Sequence, residues 1–201
     1  MTGRALRHAW PAAVAALVLP VPAYAHLVNS GLGPFYDGMG HFALTPEDLL
    51  PVLAMALLAG QRGSDAARRA LFVLPGAWLV AGLAGLSHPT GVSVPVFATV
   101  SFLLLGGLVA AEAPLRPGWI AGLAVVIGAV HGYLNGAAMS QARLGTLGLV
   151  GIVGAIFTVV ALVSAMVVTA RTGWARIAVR VAGSWIAAIG LLLLGWSVRG
   201  A

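Results

Sequence analysis

From residue 46 onward the chain is a succession of apolar stretches separated by short polar breaks. They run roughly 46–62, 69–87, 92–112, 118–139, 145–170 and 177–198. Each is close to the roughly 20 residues a helix needs to cross the hydrocarbon layer. The expected fold is therefore all-α: a polytopic bundle of six transmembrane helices with short loops, forming one domain over residues 26–201. No composition shift marks a linker or a second domain. Three spans lie on each side of Pro114-Leu115-Arg116-Pro117, which would permit an inverted repeat, but the two halves share no convincing self-similarity.

The residues before the first span read differently. Arg4 and Arg7 form a basic region, Pro11 to Val21 is a short apolar stretch, and Ala23-Tyr24-Ala25 is a small-x-small cleavage site. Pro20 and Pro22 break the helix where a signal should end. Residues 1–25 are thus expected to be a signal peptide. Cleavage would leave His26 as the mature N-terminus, outside the cytoplasm, where its α-amine and imidazole form a compact chelating pair.

Composition supports the membrane reading. Hydrophobic residues make up 60% of the chain and charged residues only 8%, against about a quarter in soluble domains. There is no cysteine, so neither a disulfide framework nor a thiolate metal site is available. The sequence pI of about 11.4 is not a nucleic-acid signature, because the eleven arginines are spread along the chain between apolar stretches. They instead set orientation. With the mature N-terminus outside, Arg62, Arg68, Arg69, Arg116, Arg171, Arg176 and Arg180 face the cytoplasm, leaving Arg143 and Arg199 outside. That imbalance obeys the positive-inside rule for a protein of the bacterial inner membrane. Trp119 and Trp196 fall at span ends as interfacial anchors, whereas Trp78 and Trp185 lie deeper and read as packing residues.

Candidate chemistry concentrates in two places. Three of the five carboxylates, Asp37, Glu47 and Asp48, gather with His41 at the mouth of the first span. Polar groups at such a position are costly unless they serve a function. Part of the cluster has a structural explanation: Thr45 can cap a helix, Pro46 suits its first position, and Glu47 and Asp48 favour the positive end of its dipole. Asp37 and His41, four residues apart, would share one side of a short helix. A set of carboxylate oxygens and imidazole suits nickel, cobalt or zinc. The fourth span carries the second constellation. His131, Asn135 and Met139 recur every four residues beside a stripe of Gly128, Gly132 and Gly136 that would admit a neighbouring helix closely. An intramembrane histidine is a functional candidate. His88 reads as a loop residue, Met55 as packing, and Glu112 as the partner of Arg116 four residues later.

The segment His41-x-x-x-Thr45-Pro46-Glu47-Asp48-Leu49-Leu50, followed by Val52-Leu53-Ala54, resembles the HupE/UreJ family of hydrogenase and urease accessory membrane proteins. His131-Gly132-Tyr133-Leu134-Asn135-Gly136 is similar to that family's later histidine-glycine segment, with Asn135 where a second histidine often stands. The resemblance implies a nickel or cobalt permease rather than an enzyme. Its partners would be the bilayer and the transported divalent ion, nickel first, then cobalt or zinc, with no prosthetic group and no nucleic acid. The expected metal-handling residues are His26, Asp37, His41, Glu47, Asp48 and His131. A shared path requires the first and fourth spans to be packed neighbours, with His131 directed into the bundle. Two other functions compete: a membrane-embedded zinc hydrolase using His41, His88 and His131, and a noncatalytic assembly partner of a larger membrane complex.

Overall fold

A computed structural model describes residues 30–89, 95–170 and 172–199. Every regular element among them is helical. We number the helices α1 (Pro34–Leu44), α2 (Pro46–Gln61), α3 (Ser64–Ser87), α4 (Pro95–Ala110), α5 (Pro117–Gln141), α6 (Gly145–Thr169) and α7 (Gly173–Arg199). The expected signal peptide and His26 lie outside the described residues.

Proline and glycine punctuation sets most boundaries. Pro34, Pro46 and Pro117 each start a helix, where the missing N–H has no intrahelical partner to lose. Gly33 and Gly63 precede α1 and α3 at φ 100° and 94°, a backbone conformation that glycine adopts without steric cost. Thr45 occupies the expected cap position of α2, but its side chain does not cap. Its hydroxyl turns back to donate to the His41 carbonyl at 2.7 Å, joining the end of α1 to the start of α2.

Four helices, α3, α5, α6 and α7, are individually long and apolar enough to cross a membrane. The first expected span differs from a simple crossing. It is α2 preceded by α1, and the two meet at an angle of 76°. Taken together they pass the same length and hydropathy test, as a broken span or a re-entrant segment. The expected third span is represented by α4, only 16 residues long. The chain is thus a multi-pass helical membrane protein, with four full-length spans and two shorter apolar segments among its described residues.

α2 is the hub: it packs against every other helix. All residues from Ala54 to Gly60 are buried, which explains why its sequence carries an apolar run rather than a stripe. Around it, α3 packs most extensively on α5, α4 on α7, and α1 on α6. Small residues bring the backbones together. A Cβ on Gly38 would meet the Gly148 carbonyl, and one on Gly151 would meet the Phe35 carbonyl, so α1 lies tightly in a groove of α6. The outer faces of the long helices expose Val80, Val126, Leu162, Ile177 and Leu192, the surface a protein presents to lipid. Trp119 and Trp196 are exposed at helix ends, as anchors should be. Trp78 is fully buried, as expected of a packing residue, but Trp185 is 69% exposed and belongs to the outer face.

Candidate functional site

The expected approach of the first and fourth spans is realised at one side chain. His131 of α5 is 3% exposed, and its Nδ1 lies 3.1 Å from Asp48 Oδ1 in the first turn of α2. Its Nε2 lies 3.2 Å from Ser101 Oγ on α4. The ring also stacks on Trp78 of α3, with centroids 5.6 Å apart and planes 26° from parallel. Four helices therefore converge on one imidazole.

Each contact has a local cause. Asp48 is held at the N-terminal turn of α2, where its backbone N–H reaches the Thr45 carbonyl at 3.1 Å and the dipole favours negative charge. Three residues on, Pro51 has no N–H to offer the Glu47 carbonyl, which loosens the helix beside the site. Ser101 keeps its own hydrogen on the Phe97 carbonyl, 2.7 Å away, as serines in apolar helices commonly do. Its oxygen is then an acceptor toward His131 Nε2. Asp48, His131 and Ser101 stand in the order of a hydrolytic triad, but with that hydrogen engaged Ser101 is not poised as a nucleophile.

Two buried polar atoms nearby have no hydrogen-bond partner among the described residues: Asn135 Oδ1 and Trp78 Nε1. The amide orientation of Asn135 is set by its Nδ2, which donates to the His131 carbonyl at 3.0 Å. This leaves the oxygen as an unused acceptor one turn from the imidazole. Met139, the third member of the expected stripe, is fully buried and packs toward α6, where its sulfur would lie 3.0 Å from a Cβ on Gly148. Met55 is buried as well, consistent with packing.

The glycine stripe of α5 faces α3. A Cβ on Gly128 would come within 2.7 Å of the Leu74 carbonyl, and Cβ atoms on Gly132 and Gly136 would collide with the carbonyls of Trp78 and Gly82. The stripe therefore seats α5 on α3, not on α2. That contact is what presses Trp78 against His131.

The remaining candidates divide. Asp37 is buried in α1, but its carboxylate is taken up by Ser30, accepting from the backbone N–H at 2.6 Å and the hydroxyl at 2.5 Å. His41 is half-buried on the same helix, and Glu47 is exposed beside Asp48. Among the described residues no three His, Asp or Glu side chains come together as a preformed metal cage. His88 is exposed at the end of α3, where its carbonyl accepts from the Tyr133 hydroxyl at 2.7 Å. Glu112 pairs not with Arg116 but with Arg176 of α7, at 2.7 Å. Ser101 and the stacking role of Trp78 were not singled out in the sequence. The available signal was a pair of hydroxyls, Thr99 and Ser101, within the apolar run Ala98-Thr99-Val100-Ser101-Phe102-Leu103.

The chain is thus of the class of multi-pass helical membrane proteins, with a buried carboxylate–imidazole pair at its hub. Within that class, the family model for HupE / UreJ protein matches residues 14–193, and the chain belongs to the HupE/UreJ family. That family is associated with nickel and cobalt transport for hydrogenase and urease. No curated protein and no solved structure matches the chain.

Proposed function

We propose that this protein is an inner-membrane permease for a divalent transition metal, nickel in the first place and cobalt in the second. Its task would be to supply a metalloenzyme. The observation that carries this reading is the Asp48–His131 pair, buried where four helices meet. The 3.1 Å between Asp48 Oδ1 and His131 Nδ1 is close to the roughly 3 Å separating adjacent ligands around a metal bonded at about 2.1 Å. A divalent ion could bond both atoms only from beside the line that joins them, after the two side chains turn toward it. His26, Asp37 and His41 would collect the ion on the outer side, and Glu47 would add negative charge beside Asp48. The ion then passes from Asp48 to His131 and leaves at the arginine-bearing end of the bundle.

Two features suit transit rather than permanent residence. The site offers one imidazole and one carboxylate, fewer strong ligands than a structural centre uses. Both imidazole nitrogens face oxygen atoms, so an arriving ion competes for Nδ1 and can be released again. The zinc hydrolase draws no support from the geometry, because His88 is at an exposed helix end while His131 is at the buried hub.

The test is metal flux into liposomes holding the purified protein and a trapped metal-sensitive dye. Wild-type protein should admit nickel or cobalt, and His131→Leu should abolish entry while retaining helical content and a normal elution profile. Undiminished entry through His131→Leu would remove His131 from the path. Absence of flux in the wild type, under conditions where the protein is folded, would favour the assembly-partner role.

A further inference from the structure

Ser101 of α4 is 5% exposed, and its hydroxyl touches two atoms: the Phe97 carbonyl oxygen at 2.7 Å and His131 Nε2 at 3.2 Å. A hydroxyl has a single hydrogen to give, while its oxygen can accept twice. Two oxygens 2.7 Å apart stand at the usual length of an O–H···O hydrogen bond, and a carbonyl carries no hydrogen of its own. The Ser101 hydrogen is therefore committed to Phe97, and only lone pairs of its oxygen face the imidazole. Nε2 must then bear a hydrogen and donate it to Ser101. Stacking on Trp78 restrains the plane of the ring but does not distinguish its two nitrogens. The Ser101 contact does.

We propose that Ser101 is the positioning residue of this site. By holding a hydrogen on Nε2 it removes that nitrogen from metal binding and reserves Nδ1, which faces Asp48 Oδ1 at 3.1 Å, for the arriving ion. A metal-bound imidazole generally donates its other ring N–H to an oxygen, and that bond fixes the tautomer and the ring orientation and raises the basicity of the ligating nitrogen. Here the oxygen comes from a third helix, so α4 sets which nitrogen α5 offers beside α2. The assignment of Nδ1 to an ion rests on the permease reading, but the hydrogen on Nε2 does not.

Nitrogen NMR of the full-length protein in nanodiscs, labelled at histidine, reads both ring nitrogens. Comparison with His131→Leu identifies the signals of His131 among the five histidines. Wild-type protein should carry hydrogen on Nε2 both without metal and with Zn²⁺, a diamagnetic stand-in for nickel, and Zn²⁺ should shift Nδ1. Ser101→Ala removes the acceptor and keeps a residue that favours helix. It should lose the hydrogen on Nε2, leaving the ring's hydrogen on Nδ1 against Asp48, and weaken Zn²⁺ binding about tenfold, as loss of such an outer partner does. Ser101→Thr returns the hydroxyl and should restore both the Nε2 hydrogen and the affinity.

A merely structural serine would change the thermal midpoint and leave the hydrogens of the ring where they were. Nε2 without hydrogen in the wild type, or the same ring pattern in wild type and Ser101→Ala, would overturn the proposal. So would a Zn²⁺ shift at Nε2 in place of Nδ1, or a Ser101→Thr protein that behaves like Ser101→Ala. Should the wild type carry hydrogen on Nε2 yet neither bind nor pass metal, the permease reading fails and the hold of Ser101 on His131 stands.

Discussion

His131 is held by oxygen on both ring nitrogens and by an indole on one face, and the consequences differ for each partner. Removing Asp48 entirely leaves Nδ1 buried without a hydrogen-bond partner, a change worth about 1–3 kcal/mol. Asp48→Asn retains an oxygen at that position but withdraws the charge. We therefore expect Asp48→Ala to lower the thermal midpoint in detergent clearly, and Asp48→Asn to lower it little. Both should reduce metal transport at least tenfold. Equal transport by Asp48→Asn and wild type would show that the carboxylate charge is not required. Trp78 provides a direct readout because its ring stacks on the imidazole. Ni²⁺ or Co²⁺ bound at His131 should quench Trp78 emission, and the quenching should vanish in Trp78→Phe and in His131→Leu. Quenching that survives His131→Leu would place the ion elsewhere.

At the scale of the helix, the contact to examine is α3 against α5. A Cβ on Gly136 would strike the Gly82 backbone, whereas Gly122 on the same helix has open space around it. Gly136→Ala must push two backbones apart, at a cost of about 1–3 kcal/mol for overpacking, and it loosens the support behind Trp78. Gly122→Ala removes only the conformational freedom of glycine, and in a helix interior that substitution gains up to about 1 kcal/mol. Thermal unfolding in detergent should therefore move in opposite directions for the two variants. A Gly136→Ala protein as stable as wild type would contradict the packing described here. The bent α1–α2 pair makes a different point about elements. Pro46 starts a new helix directly after Thr45, so the chain turns instead of continuing, and Asp48 is carried into the bundle interior within the first turn of α2.

For the whole molecule, the proposed orientation rests on where the arginines fall. The end of α2 away from Asp48 carries Arg62, with Arg68 nearby in sequence, and the positive-inside rule assigns such an end to the cytoplasm. We expect N-terminal sequencing of the membrane-extracted protein to begin at His26, and a C-terminal reporter to be active outside the cytoplasm. A mature chain beginning at Met1, or a C-terminal reporter active only inside, would reverse the assignment of capture and release ends.

The sequence by itself determined the class: long apolar stretches can be buried only in lipid or in each other, and their spacing is that of membrane helices. It also located Asp48 and His131, because ionisable groups are conspicuous against so apolar a background, and their approach could be anticipated from the need of a buried imidazole for a partner. Pattern alone could not fix which helix faces which. Gly128, Gly132 and Gly136 announce a close contact but not its owner, and the owner is α3. Ser101 carries no periodic signal, so its place beside His131 emerges only when α4 is packed on α2. Glu112 had a suitable arginine four residues away and took one 64 residues away, because the last turn of α4 lies against the start of α7. Such pairings are decided by how whole helix surfaces fit, and that fit sums many small contacts from distant parts of the chain which no local stretch of sequence contains.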